Sequence, residues 1–370
     1  MILDTSPAIR AEAERLFAHF QTAGAQPVET DILQPAETLL DLYGEDIRAR
    51  AYVTSDPLRG EQMLRPDFTV PVVRMHMADG ALPARYTYMG KVFRKQEHEH
   101  GRPTEYFQVG YELFDRADPA AADAEVFTLF NALLSPLGLR AATGDIGILL
   151  AAVDALSTTA RRKAALRRHL WRPRRFRSLL DRFGGRSAVP DSRARLLHAV
   201  RNEGIETVID RAGPEIGMRG REEIAARIEA LLEDAATPPI AAGQVEILEH
   251  VMGLRETCTN ALEHLRDIAV DLPRIASAVT RMDRRLDALS AHGVDVGALD
   301  FEASFGRTTM EYYDGFVFGF FAEGRPDLPP VATGGRYDAL TRILGQGRTI
   351  PAVGGVVRPG VALSVTGGMA

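Results

Sequence analysis

Residues 85–114, RYTYMGKVFRKQEHEHGRPTEYFQVGYELF, constrain the fold more than any other stretch: they read as two β-strands joined by a long polar loop, around which a sheet has to be completed. Over 106–114 a period of two puts Tyr106, Gln108, Gly110, Glu112 and Phe114 on one face and Phe107, Val109, Tyr111 and Leu113 on the other. The second set is apolar. The first carries a carboxamide and a carboxylate with a glycine between them, and that glycine leaves a hollow suited to a small ligand rich in hydrogen-bond donors. In the first strand Gly90 shares a parity with Arg94, so a second hollow lies near an arginine suited to a carboxylate or a phosphate. The loop 95–105 is longer than most hairpin connections, as functional loops often are. The alternative is an ordinary half-exposed hairpin whose polar face meets water.

A chain of 370 residues can bury a large core and favours two domains, or one large domain with an insertion. One cysteine, Cys258, excludes an internal disulfide and a multi-cysteine metal site. No apolar run reaches the length of a membrane span, and the N-terminus lacks the basic and apolar regions of a secretion signal. A soluble, cytoplasmic chain is expected. The net charge of −6 argues against a nucleic-acid footprint over the whole chain. Residues 161–186 reverse that sign, with ten arginines and one lysine against Asp181. This run, which includes Trp171 and Phe176, reads either as solvated helix faces or as a surface for RNA or an acidic partner; the first is the simpler reading.

In chain order, Ser6 and Pro7 predict the start of a helix whose apolar stripe is Ile9, Ala13, Leu16, Phe17 and Phe20 and which Gly24 ends. The next segment passes from an extended piece through Pro35 into a short helix, an arrangement suited to a sheet edge or a subunit boundary. If Leu64–Thr69 is extended, Arg65, Asp67 and Thr69 share a face and Pro71 opens a helix. The carboxylate and hydroxyl there could receive an ammonium group or simply cap the helix. From 156 to 240, short helical pieces broken by Pro173, Pro190, Pro214, Pro238 and Pro239 read as a helical insertion into a core made of 1–155 and 241–370. Further on, Phe316, Phe318 and Phe320 face one way while Tyr313, Gly315, Val317 and Gly319 face the other, repeating the hairpin's device of glycines beside a polar edge. Gly334 and Gly335 are expected between a strand and a helix, where backbone can approach a ligand closely. His98 and His100 alternate without a third ligand, so neither a metal nor a cofactor is expected. No phosphate-binding loop, nucleophile elbow or dinucleotide glycine pattern is present.

The ordered series LRPDFTVP, GKVFRKQE with YFQVGYE, EYY, GGRYD and PAVG resembles the core of histidyl-tRNA synthetase, a class II synthetase, from about residue 5 to 156 and from about 245 to 365. That resemblance implies an α+β fold: a class II aminoacyl-tRNA synthetase-like antiparallel sheet flanked by helices, dimerised through the segment around Pro35. It also implies a histidine seat. Asp67, standing where the synthetase has Glu, would meet the amino group with Thr69 and Gln108; Glu112 and Tyr313 would hold the imidazole. Tyr312 and Tyr337 would line the pocket, Gly334 and Gly335 would form its wall, Arg94 would contact the activated carboxylate and phosphate, and Tyr106 would stack on adenine. A carboxylate and a phenol can satisfy both ring nitrogens of an imidazole.

Set against that pattern, three positions depart. The arginine expected just before EYY is Thr308, with Arg307 one step off and so on the opposite face of a strand; the ATP-reading glutamate is Gln96; the arginine that grips the far phosphates is Val361. Loss of one such cationic donor typically costs on the order of 100-fold in rate, so amino-acid activation is not expected. The chain also stops where an anticodon-binding domain is expected to begin. A synthetase-like core with these departures is similar to the regulatory-subunit family of ATP phosphoribosyltransferase. Membership of that family implies a non-catalytic chain that assembles with a short-form catalytic subunit in the first step of histidine biosynthesis, pairs as a homodimer, and binds L-histidine as feedback inhibitor, with no membrane and no nucleic acid as partner. A short histidyl-tRNA synthetase and a synthetase-like RNA-binding paralogue are the rival readings.

Overall fold

The computed structural model describes residues 7–43, 47–96, 103–214, 219–307 and 312–367. Ser6, His98, His100 and Thr308 lie outside the described residues. The chain divides into two compact units, 1–151 with 251–370, and 152–250.

Strands in the larger unit are β1 (Gln26–Pro27), β2 (Leu33–Pro35), β3 (Val53–Asp56), β4 (Gly60–Leu64), β5 (Ala84–Phe93), β6 (Glu105–Phe114), β7 (Arg140–Asp145), β8 (Arg255–Thr257), β9 (Asp300–Glu302), β10 (Phe316–Phe321), β11 (Ala332–Arg336) and β12 (Ala352–Val357). Nine of them form one sheet in the order β1-β5-β6-β12-β11-β10-β7-β9-β8, and β2-β4-β3 form a second. The expected hairpin is β5 and β6, in register from Ala84 opposite Phe114 to Phe93 opposite Glu105. The centre of the sheet, from β5 to β7, is antiparallel as expected. At its flanks the sheet is mixed: β1 pairs with β5 and β7 with β9 in parallel. Long connections join these pairs, and only a long connection lets two strands run the same way.

Helices cover the apolar face of the sheet. The helix Pro7–Thr22 buries Ile9, Ala13, Leu16 and Phe20, and Phe20 meets Tyr111 of β6 at 5.5 Å and Phe130 at 5.2 Å between ring centroids. Phe130 and Phe127 belong to Pro119–Leu134, which Asp118 caps by accepting from the amides of Ala120 and Ala121. Phe318 of β10 packs against both, at 5.5 and 5.7 Å. A buried ion network crosses the same layer: Arg285 donates to Asp145 at 2.9 Å and to Asp123 at 3.3 Å, and Arg336 donates to Asp123 at 2.7 Å. The arginine of GGRYD therefore faces the covering helices.

The Pro35 segment forms β2, an edge of the small sheet, followed by the short helix Ala36–Tyr43. Ile32 and Leu33 beside it are exposed. At the next junction the expected extension through Thr69 is corrected: β4 stops at Leu64 and a helix runs from Thr69 to Asp79, with Pro71 in its first turn. Asp67 Oδ1 accepts from the Val70 amide at 3.3 Å, the capping role weighed for it.

The smaller unit is helical, with Ala160–Arg168, Pro173–Phe183, Asp191–Glu203, Ile205–Arg211 and Arg221–Ala236. Much of the basic run is paired within it. Asp234 accepts from Arg162 at 2.7 Å, and from Arg182 and Arg193 at 2.5 Å each, while Arg186 donates to Glu249 at 2.9 Å. Arg168, Arg174, Arg175 and Arg177 are exposed. Among the described residues no helix is long and apolar enough to cross a membrane.

Candidate functional site

Opposite the helix-covered face, strand alternation brings Tyr86, Tyr88, Gly90, Gln108, Gly110, Glu112, Gly354 and Gly335 onto one surface, because residues directly paired across strands share a face. Glu112 is at its centre and fully buried. Its Oε1 accepts from Thr69 Oγ1 and from the Tyr88 hydroxyl, each at 2.9 Å, and its Oε2 accepts from the Tyr337 hydroxyl at 2.5 Å. Burial pushes the Glu112 carboxyl up to about 7 even though these three hydroxyls favour its charged form. Tyr337 and Tyr88 are in turn pushed well above the phenol range, first by burial and then by the charge of Glu112.

The glycines divide into two kinds. A side chain at Gly354 would strike Glu112 Oε2 and the Tyr111 carbonyl, and one at Gly335 would strike Tyr313, so these two make room for the carboxylate and the phenol. The hollows expected at Gly110 and Gly90 are filled by the protein itself, a correction to their reading as ligand seats. The Tyr88 ring lies over Gly110, and Phe68 with Arg65 lies over Gly90. Phe68 and Tyr88 stack at 4.4 Å with an interplanar angle of 12°, which closes that end of the surface. Gly319 is likewise filled, by the Phe305 ring. Gly334 and Gly335 are also corrected: both lie inside β11, opposite Gly355 and Gly354. Gly334 looks to the helix-covered face, where a side chain would meet the Phe318 ring.

Around Glu112 the aromatic wall is continuous. Tyr312 meets Tyr313 at 5.0 Å and Tyr337 at 6.1 Å. Tyr313 is buried, and its phenol is raised by burial and then by the charges of Glu112 and Asp67. Gln108 is fully buried on the same face, and neither its Nε2 nor its Oε1 has a hydrogen-bond partner among the described residues. A buried carboxamide left without partners costs roughly 1–3 kcal/mol. Arg94 continues the hairpin past Phe93, its amide donating to Thr104, while its Nε donates to the Pro66 carbonyl at 2.8 Å and its guanidinium lies 6.0 Å from the Tyr106 ring. Arg307 is buried with Nη1 3.8 Å from Met252 Sδ.

Asp67, Thr69, Gln108, Glu112, Tyr312, Tyr313, Gly335 and Tyr337 thus come together on or beside one surface, with Arg94 at its loop end. Sequence reading passed over Tyr88. Its signal was legible in the register, since a tyrosine directly opposite a glycine fills the space that the glycine leaves. Chemically, the arrangement offers an acceptor carboxylate held by three hydroxyls, an orphan amide and a phenol.

The family profile described as histidyl-tRNA synthetase matches residues 3–236 and 221–359. A protein named ATP phosphoribosyltransferase regulatory subunit from Rhizobium rhizogenes is 31% identical over 361 residues, covering 92% of this chain and 93% of the relative. One of the same name from Brucella canis is 30% identical over 364 residues, covering 95% of this chain and 94% of the relative. Among solved structures, an ATP phosphoribosyltransferase regulatory subunit/histidyl-tRNA synthetase from Bacillus halodurans superposes with a TM-score of 0.68 at 22% identity, covering 98% of this chain and 81% of that one. A histidine–tRNA ligase subunit from Alicyclobacillus acidocaldarius gives 0.62 at 24% identity, covering 99% and 96%. By these matches the chain is similar to both groups in fold, and by sequence it belongs to the ATP phosphoribosyltransferase regulatory subunit family, on a histidyl-tRNA synthetase-like class II framework.

Proposed function

We propose that this regulatory subunit is a non-catalytic histidine sensor: it is required for the activity of a short-form ATP phosphoribosyltransferase catalytic subunit, and L-histidine bound on Glu112 inhibits the complex. The observation that carries the reading is the buried Glu112 carboxylate, ringed by Thr69, Tyr88 and Tyr337, beside an unsatisfied Gln108 amide. An imidazole offers this carboxylate a ring N–H, and an α-amino group offers donors to Gln108 and Asp67. Tyr312 and Tyr313 complete the wall, and Gly335 leaves room beside Tyr313.

Feedback through such a seat is a matter of linkage. Histidine must bind the inhibited complex more tightly than the active one, and substrates that favour the active state must weaken histidine in return. The homodimer is proposed at the β2 edge, where Ile32, just before the strand, and Leu33, its first residue, are exposed. The absence of aminoacylation is proposed from Gln96 and Val361, which stand where resemblance to the synthetase calls for a glutamate and an arginine.

The test is the rate of phosphoribosyl-ATP formation by a short-form catalytic subunit from the same source, with and without this chain and with added histidine. A rate that rises on addition and falls with histidine is the expected result. An unchanged rate overturns the proposal, and histidine-dependent exchange of pyrophosphate into ATP would then identify a short synthetase.

A further inference from the structure

A further cation, Arg358, stands at the end of β12. Strand β12 ends at Val357, which pairs with Val109, so Arg358 follows at the level of the buried Gln108. Its guanidinium is held by neutral oxygens: Nη1 donates to the Pro330 carbonyl at 2.9 Å and Nη2 to Thr333 Oγ1 at 3.2 Å. Burial and the nearby charge of Arg94 both disfavour its protonated form. Arg94 itself lies over the Tyr106 ring. Two half-buried guanidinium groups whose charges oppose each other make a site that an oxyanion stabilises, because a negative charge there relieves the repulsion between them.

The spacing selects the oxyanion. Thr333, which accepts from Arg358, lies on β11 two residues from Gly335, and Gly335 pairs with Gly354 beneath the Glu112 carboxylate. Two residues of strand are roughly 7 Å, about the span from an imidazole ring to the carboxylate of the same amino acid. Gln108, with its unsatisfied amide, flanks the path between them.

We infer that Arg358, held by Pro330 and Thr333 at the end of β12, binds the α-carboxylate of the amino acid seated on Glu112, and so sets the preference of this seat for an acid over the corresponding alcohol or amide. The inference rests on the histidine reading given above. It also accounts for how a seat with Thr308 in place of the expected arginine can still hold a carboxylate: the cation comes from the end of β12.

Calorimetric titration of the full chain with L-histidine and with L-histidinol, in which an alcohol replaces the carboxylate, tests it. The wild-type protein is expected to prefer histidine by about 10- to 100-fold, the range for one charge-assisted contact. Arg358→Gln should bring that ratio close to one while histidinol affinity stays within about 3-fold, a readout that a merely structural role would not move. A preference retained in Arg358→Gln overturns the inference. If that variant does not fold, Arg358→Lys, which keeps the charge but not the two-pronged geometry, must still narrow the ratio, and an unchanged ratio is again fatal. Inorganic pyrophosphate that competes with histidinol in the wild type and not in Arg358→Gln, with the histidine preference intact, would assign the oxyanion to a phosphate instead. A wild-type protein that binds neither histidine nor histidinol defeats the sensor reading itself, an outcome distinct from the others.

Discussion

At the scale of single residues, Glu112 concentrates the chemistry. Three hydroxyls hold its carboxylate, yet burial keeps its proton affinity high, at about 7 against an ordinary value of 4.5. Between those values the folded chain binds more protons than the unfolded chain, so stability falls as pH rises through that window. Asp314, pushed up to about 7 by burial and by Asp338, acts in the same direction. Buried His76, pushed down to about 4, opposes them, but it is one group against two, so the melting temperature of the ligand-free protein is expected to be higher near pH 5 than near pH 7.5. In Glu112→Gln this difference should shrink without vanishing, since Asp314 remains; an undiminished difference would show that Glu112 is not the titrating group. The same variant keeps the size of the side chain but cannot accept an imidazole N–H with a charge. Histidine affinity should fall by about 10- to 100-fold, the value of a charge-assisted hydrogen bond. Unchanged affinity in a titration would remove Glu112 from the seat.

At the scale of elements, the central antiparallel strands work as a jig: pairing β6 with β12 and β12 with β11 sets Glu112, Gly354 and Gly335 side by side. A Cβ at Gly354 would lie 1.6 Å from Glu112 Oε2 and 2.6 Å from the Tyr111 carbonyl, and the second of these is backbone that cannot swing away. Gly354→Ala is thus expected to destabilise the protein by about 1–3 kcal/mol, the usual cost of overpacking, and to abolish histidine binding. Denaturant melts read the first effect and calorimetry the second; a variant with wild-type affinity would show that the glycine serves only the sheet. By contrast, the hollows at Gly110 and Gly90 serve packing, because Tyr88, Phe68 and Arg65 already occupy them. The hairpin was legible in residues 85–114 from alternation alone. Which of its glycines faced a ligand and which faced a neighbouring ring was not, since that depends on side chains from β5 and from the turn before Thr69.

For the whole molecule, the separation into 1–151 with 251–370 and into 152–250 makes a distinct prediction. Asp234 is the hub of the smaller unit. Burial pushes its carboxyl up, but hydrogen bonds from Arg182, Arg193 and Arg162 outweigh that and hold it well below the carboxylate range. Arg162 is nearly buried, so Asp234→Ala leaves a desolvated guanidinium without its carboxylate, at a cost of roughly 3–5 kcal/mol. Hydrogen exchange in 152–250 should accelerate while histidine affinity is retained; lost affinity would mean that the seat depends on the smaller unit. This pairing also explains why the charge run at 161–186 misleads as a footprint: charge count is a property of sequence, whereas Asp234 and Glu249 are brought to those arginines by folding. Strand periodicity, the helical character of 156–240, the polar face of β6 and, through five ordered motifs, the family are legible in the residues alone. These rest on local alternation and spacing, which the chain carries wherever it goes. It takes the folded sheet to make Tyr88 and Tyr337 share the Glu112 carboxylate, to turn Gly334 away, and to bring the Arg358 guanidinium to Thr333. Each of those depends on register between strands far apart in the chain, and register is fixed by the packing of the whole sheet.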